Sequence, residues 1–198
     1  MAMSAPYPAT LTFNPPEKVA NWRPLVHWLL AIPHFVVLYV LNIVSQVVAF
    51  ISWFVILFTG ALPEGLANLQ VLYMRYSARA SSYAAFMREE YPPFTFDMTP
   101  TDPGDDPRIR VDVVPQLTER NRLTVAFRLI LAIPLFLMLF VLGIAAFVVI
   151  VIAFFAVLFT GRWPAGLLDF VVKVMRFNTR FQAYFCLLSD VYPPFNLD

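Results

Sequence analysis

The chain has 198 residues, 60% of them apolar and 14% charged, against roughly half apolar and roughly 25% charged in ordinary water-soluble domains. That balance excludes a conventional soluble fold, and a net charge of +1 gives no basic footprint from which a nucleic-acid partner could be argued. The lone Cys186 cannot close an intrachain disulfide, so no disulfide framework and no cysteine metal site is expected.

In chain order, the first residues lack the basic stretch, short apolar core and small-residue cleavage site of a secretory signal, so the N-terminus is expected to be retained. Residues 9–13, "ATLTF", alternate with the period of a strand. From Pro24 to Pro63 no residue carries a formal charge, a run well beyond the ~20 residues that one helical crossing of a bilayer requires. The hydrophobic segment, residues 24–59, would extend ~52 Å as one straight helix of about 35 residues, longer than a ~30 Å hydrocarbon core. It is therefore expected either to turn back as a hairpin near Asn42, Ser45 and Gln46, or to form one helix kinked near Pro33; the hairpin is the preferred expectation. In the turn that follows, "FTGALPEG", Gly60 suits a helix terminus needing positive φ, Pro63 the first turn of the next helix, and Gly65 completes the motif. Residues 63–90 then read as an amphipathic helix, with Asn68, Arg75 and Arg79 on one stripe and Tyr73, Tyr76 and Tyr83 on much of the rest.

This order is then repeated. "LAIP" at 30–33 returns at 131–134, "LFTG" at 57–60 returns at 158–161, and "YPPF" at 91–94 returns at 192–195, each 101 residues on. The expected organisation is a first repeat over 1–94, an acidic Pro/Gly linker over 95–107 read as a solvated connector, and a second repeat over 108–198. The second repeat holds a strand over 108–114, a hydrophobic segment over 123–160 with Gly143 at its midpoint, a turn with Gly161, Pro164 and Gly166, and an amphipathic helix over 164–190. The two strands could pair if both repeats begin on the same side. The expected fold class is an all-α integral membrane protein of two tandem repeats, with a short strand before each.

Arg75 and Arg79, with their twins Arg176 and Arg180, are the candidate site. Their i,i+4 spacing puts two guanidinium groups on one face, and guanidinium matches phosphate bidentately, so contact with lipid phosphate is one reading. A snorkelling polar face, or pairing with acids elsewhere in the fold, is the other. Spanning the bilayer would cost roughly 2.5–3.5 kcal/mol per arginine, so the helix is expected to lie in the interface. His27 and His34 are seven apart on one helical face, but their twins are Arg128 and Leu135, and no haem or metal is expected there. No paired carboxylates, nucleophile triad, Gly-rich phosphate loop or Cys/His cluster is present, so neither catalytic residues nor a cofactor is assigned. With hairpins and surface helices, all 14 lysines and arginines fall on the side of the termini and linker, which the positive-inside rule makes cytoplasmic.

The pattern "LAIP…LFTG-x-x-P-x-GL…R…YPPF" resembles a bacterial membrane family known as domain of unknown function 4389, over essentially all of both repeats. The resemblance implies a bacterial cell (inner) membrane location and carries no activity. Arg162 in the second turn has no basic twin in the first. The expected function is that of a non-enzymatic membrane accessory or scaffold protein, contacting anionic lipid or a membrane protein partner, with self-association allowed. A transport or channel component and a membrane-shaping protein are the alternatives.

Overall fold

The computed structural model describes residues 7–197; the expectation about the N-terminus falls partly on residues outside these. Eight elements follow in order: β1 Ala9–Phe13, α1 Arg23–Leu30, α2 Ile32–Thr59, α3 Glu64–Ala84, β2 Ile109–Val113, α4 Arg122–Ala126, α5 Arg128–Thr160 and α6 Ala165–Phe185.

The strands form an antiparallel ribbon in which Leu11 faces Val111, Ala9 faces Val113 and Phe13 faces Ile109. Alternation along each strand buries these six side chains and turns Thr10, Thr12 and Arg110 outward. An isolated two-stranded ribbon is marginal in water. This one is backed by helices, β1 against α6 and β2 against α3.

The expected hairpins are not formed. α2 runs unbroken for 28 residues through Asn42, Ser45 and Gln46, and α5 for 33 residues through Gly143. The polar midpoint of α2 is accommodated within the unbroken helix: Gln46 donates to Asn42 Oδ1 at 2.9 Å, Ser45 Oγ donates to Gln70 of α3 at 2.5 Å, and Gln70 Nε2 donates to the Ser45 carbonyl at 2.7 Å. The kink lies instead at Ala31, between α1 and α2, with Pro33 inside the first turn of α2 where its missing N–H costs nothing. In the second repeat the break falls at Phe127, and Pro134 lies within α5.

Both long helices end on glycine in the left-handed region, Gly60 at φ 75° and Gly161 at φ 65°. A Cβ on Gly161 would also come within 2.8 Å of Asn21 Oδ1, so that position admits glycine on two counts. Pro63 and Pro164 precede their helices as extended N-cap residues. Gly65 and Gly166 sit where an added Cβ would meet no atom within 4 Å, so the turn does not require them. The amphipathic helices stop at Ala84 and Phe185, short of the expected ends, because Phe86 (φ 46°) and Leu187 (φ 65°) take left-handed conformations and the next N–H groups, of Met87 and Leu188, return to the Ser82 and Ala183 carbonyls.

The repeats are interlocked. The Val19 N–H donates to the Gly161 carbonyl at 2.9 Å, and its twin, the Arg120 N–H, donates to the Gly60 carbonyl at 3.2 Å. α1 packs on α5, α4 packs on α2, and each strand lies on the amphipathic helix of the other repeat. This reciprocity is the contact pattern of a twofold relation between repeats. It makes α2 and α5 run in opposite directions, the end of each beside the leader of the other. α2 packs along α3 and α5 along α6, so the order of layers is ribbon and linker, then α3 with α6, then α2 with α5.

Gly161→Ala is expected to destabilise the protein by about 1–2 kcal/mol, from the left-handed backbone and the Asn21 contact. Gly65→Ala, in an open helical turn, is expected to be neutral or stabilising by up to about 1 kcal/mol. Thermal unfolding followed by circular dichroism on the purified variants measures both.

Candidate functional site

The four arginines point into the protein. Arg75 and Arg79 leave α3 on a face other than the one Gln70 and Tyr76 present to α2, and both reach Asp102 in the linker. Arg75 Nε lies 3.1 Å from Asp102 Oδ2, and Arg79 Nη2 lies 2.9 Å from Oδ1. The Asp102 carboxylate also accepts the backbone N–H groups of Gly104 and Val111, each at 3.0 Å. Arg75 further donates to the Thr99 carbonyl at 3.0 Å and Arg79 to Thr95 Oγ1 at 2.7 Å. Both guanidinium groups are buried, 3% and 2% exposed, so of the two readings of these residues the structure displays pairing with an acid elsewhere in the fold.

The second repeat repeats part of this geometry. Arg180 donates to the Asn196 side chain and carbonyl, both at 2.9 Å, and Asn196 is the twin of Thr95. Half-buried Arg176 donates to the Leu11 carbonyl of β1 at 3.2 Å, as Arg75 approaches the Val111 carbonyl of β2 at 3.5 Å. The arginines thus tie each amphipathic helix to the strand laid across it.

The linker is correspondingly not a solvated connector. Besides Asp102, it supplies Asp106, which takes Arg88 Nη1 at 2.6 Å with both side chains fully buried. A third centre forms around Asp190, which accepts Arg120 at 2.7 Å, Arg128, and the Asn121 N–H at 2.8 Å. Its twin Glu89 accepts the Ala20 N–H, so an acid holds the leader segment in both repeats. Sequence reasoning missed Asp102, Asp106, Asp190, Arg88, Arg120 and Arg128. No local pattern announced them: Arg120 and Arg128 meet Asp190 across 70 and 62 residues of chain.

His27 and His34 are committed separately. His27 stacks on Tyr83 at 4.2 Å and meets its carbonyl at 2.9 Å, and its twin Arg128 lies 3.9 Å over the ring of Tyr184, the twin of Tyr83. His34 meets the Tyr76 hydroxyl at 2.7 Å and stacks on Phe94. The repeated words of the sequence also meet: Tyr91 of the first "YPPF" donates to the Leu30 carbonyl of the first "LAIP" at 3.3 Å, and Tyr192 does the same to Leu131 at 3.2 Å.

The other large feature is an apolar surface. Phe35, Tyr39, Ile43, Phe50, Phe54 and Phe58 form an exposed row along α2, and Leu137, Phe140, Phe147, Phe155 and Phe159 form one along α5. Both helices are long and apolar enough to cross a membrane, and only 22% and 11% of their most apolar stretches are buried. Among the described residues no exposed charge lies on α2 or α5; Glu17, Lys18, Asp97, Asp105 and Arg110 lie on the ribbon, its approaches and the linker, Glu64, Glu119, Arg122 and Arg162 beside the ends of the long helices, and Asp169 on α6.

A family model described as a domain of unknown function (DUF4389) matches residues 21–95 and 122–196. The chain belongs to that family. It carries two tandem DUF4389 units, each running from the leader helix to "YPPF", with both strands and Asp102 and Asp106 outside the matched ranges. Arg75, Arg79 and Arg88 therefore belong to a DUF4389 unit while the acids that neutralise them come from the connector. No curated protein and no solved structure matches the chain.

Asp102→Asn leaves two buried cations without a counter-charge and is expected to cost about 3–5 kcal/mol. Asp105→Asn, on an exposed neighbour, is expected to stay within about 0.5 kcal/mol. Chemical or thermal denaturation compares them. Burial alone would raise the Asp190 pKa, but the hydrogen bonds from Arg120 and the Asn121 N–H hold it below the usual carboxylate range. Its stabilising contribution is complete above about pH 4 and is lost as pH falls through the depressed value. A melting-temperature profile over acid pH should therefore fall less steeply in Asp190→Asn than in the wild type, from a lower starting point.

Proposed function

We infer that this is a non-enzymatic, membrane-embedded accessory or scaffold protein whose long helices lie along one leaflet. One observation carries the reading: the exposed apolar rows of α2 and α5 form one outer layer that bears no exposed charge along either helix, while the exposed charges lie at the helix ends, on α6 at Asp169, and on the ribbon and linker. Leaving a single Phe or Leu in water rather than apolar surroundings forfeits about 1.5–3 kcal/mol, so rows of this length call for a nonaqueous neighbour. The core helix of a soluble protein is mostly buried, and these are not.

The same layering favours an in-plane over a spanning arrangement. Because α2 and α5 are antiparallel, upright helices would place the approach to α1 and the approach to α4 on opposite sides of the bilayer. The linker joining them, with exposed Asp97, Asp105 and Arg110, would then have to pass through hydrocarbon, at several kcal/mol per charge and per unpaired backbone group. Lying flat, α2 at about 42 Å and α5 at about 50 Å need no match to bilayer thickness. The ribbon and linker then face the aqueous side, which we assign to the cytoplasm of a bacterial inner membrane from the basic residues they and the leader segments carry. An apolar layer set in one leaflet also occupies that leaflet asymmetrically, which supports membrane shaping as its mechanical consequence.

Spin labels at Val36, Ile43, Phe50 and Phe54, which share one exposed face of α2, introduced singly in a Cys186→Ser background and reconstituted into liposomes, test this by depth-dependent relaxation with oxygen and a polar nickel chelate. The in-plane reading expects all four at similar depth, about 5–10 Å below the headgroups. A profile deepest at the middle position and shallow at both ends, as a helix across ~30 Å of hydrocarbon gives, would sink it.

A further inference from the structure

α2 and α5 do not pack along each other. Between the middle of α2, the start of α5 and the second half of α6 lies a cavity of about 610 Å³, a size typical of small-molecule sites. Its interior reaches Tyr73 and the buried Cys186, and its rim includes Phe50 and Leu129, both strongly exposed, so it opens on the apolar side of the molecule.

Four neutral carboxamides line it. Asn42 and Gln46 are one turn apart on α2, and Asn178 and Gln182 are one turn apart on α6. Among the described residues, the hydrogen bond from Gln46 to Asn42 is the only one their side chains make. The Asn42 amide protons, the Gln46 carbonyl and both ends of Asn178 and Gln182 are left to a neighbour. In apolar surroundings each unpaired amide costs on the order of 2 kcal/mol or more, so these groups need a partner that both donates and accepts.

The charge at the site is already spent. Arg128, the one charged residue on the lining, donates to the Ser189 carbonyl and pairs with Asp190, and burial pushes the Cys186 thiol up to about 11, where it stays protonated at neutral pH. In the second repeat the twins of Asn42 and Gln46 are Gly143 and Phe147, so this feature exists once per molecule and is not a by-product of the repeat.

We propose that the cavity binds one single-chain amphiphile with an uncharged head bearing hydroxyl and carbonyl groups, of the monoacylglycerol class, entering sideways from the acyl layer with its head on the four carboxamides. This rests on the lipid-embedded reading above, and the test separates the two. The protein is reconstituted in phosphatidylcholine vesicles with a diazirine-bearing monoacylglycerol or, separately, a diazirine-bearing phosphatidylcholine, irradiated, and the labelled peptides are mapped by mass spectrometry.

Monoacylglycerol label is expected on residues 42–53 and 178–187, and excess monoolein should reduce it about tenfold, whereas oleate should not. Ala49→Trp, which fills the cavity from α2, should remove that label while phosphatidylcholine still labels the peptides holding Phe140 and Phe159. Gln46→Leu with Gln182→Leu should weaken monoolein competition by about tenfold, corresponding to the loss of about one hydrogen-bonded pair. Labelling that monoolein does not compete, that oleate competes equally, or that Ala49→Trp leaves intact would overturn the site. So would a second copy of the chain cross-linked through Asn42 and Gln46. Failure of phosphatidylcholine to label Phe140 and Phe159 would instead overturn the embedding itself.

Discussion

A buried guanidinium group tolerates few neighbours, and two of them on one helix face, in a chain this apolar, dictate much of what surrounds them. Arg75 and Arg79 sit on α3, which is covered by α2 on another face, so their charge cannot be left to water. Only an acid brought to that face makes the burial tolerable, and the linker delivers Asp102. Bringing it there folds the linker back over α3 and fixes the position of β2, whose Val111 N–H shares the same carboxylate. β2 in turn positions β1, and β1 lies on α6 near Arg176. The chain of dependence therefore runs from one carboxylate to the interlocking of both repeats.

Polar matter collected on one side of α3 and α6 leaves the other side to α2 and α5. These helices can then be apolar around most of their circumference, because the one charged residue they carry is Arg128, which Asp190 neutralises locally. The exposed rows from Phe35 to Phe58 and from Leu137 to Phe159 follow from this division. The proposed in-plane seating is the environment in which both layers meet a solvent of their own kind.

Local patterns in the sequence were readable where the physics is local. Period-2 alternation located both strands to within a residue, and Gly60 and Gly161 occupy the left-handed positions that the turn motif demanded. The midpoint of α2 misled because polar residues in an apolar run look like a bend. Ser45 is instead met by Gln70, a residue 25 positions away on a different helix, which no local pattern announces, while Asn42 and Gln46 pair along the helix itself. The arginines were legible as a pair on one stripe but not as a buried pair, since Asp102 lies in a stretch whose composition reads as solvated. Reciprocal exchange between repeats, and with it the antiparallel course of the long helices, left no mark on either repeat taken alone.

The side of the membrane on which each helix end emerges tests the proposed seating most directly. Single cysteines at Trp22 and Arg162, at one end of the molecule, and at Glu64 and Arg122, at the other, are all exposed and can be labelled with an impermeant maleimide in sealed vesicles of known orientation, in a Cys186→Ser background. Labelling of all four from the same side is expected. Labelling of Trp22 and Arg162 from one side and Glu64 and Arg122 from the other would mean that α2 and α5 span the bilayer, and would contradict the in-plane arrangement.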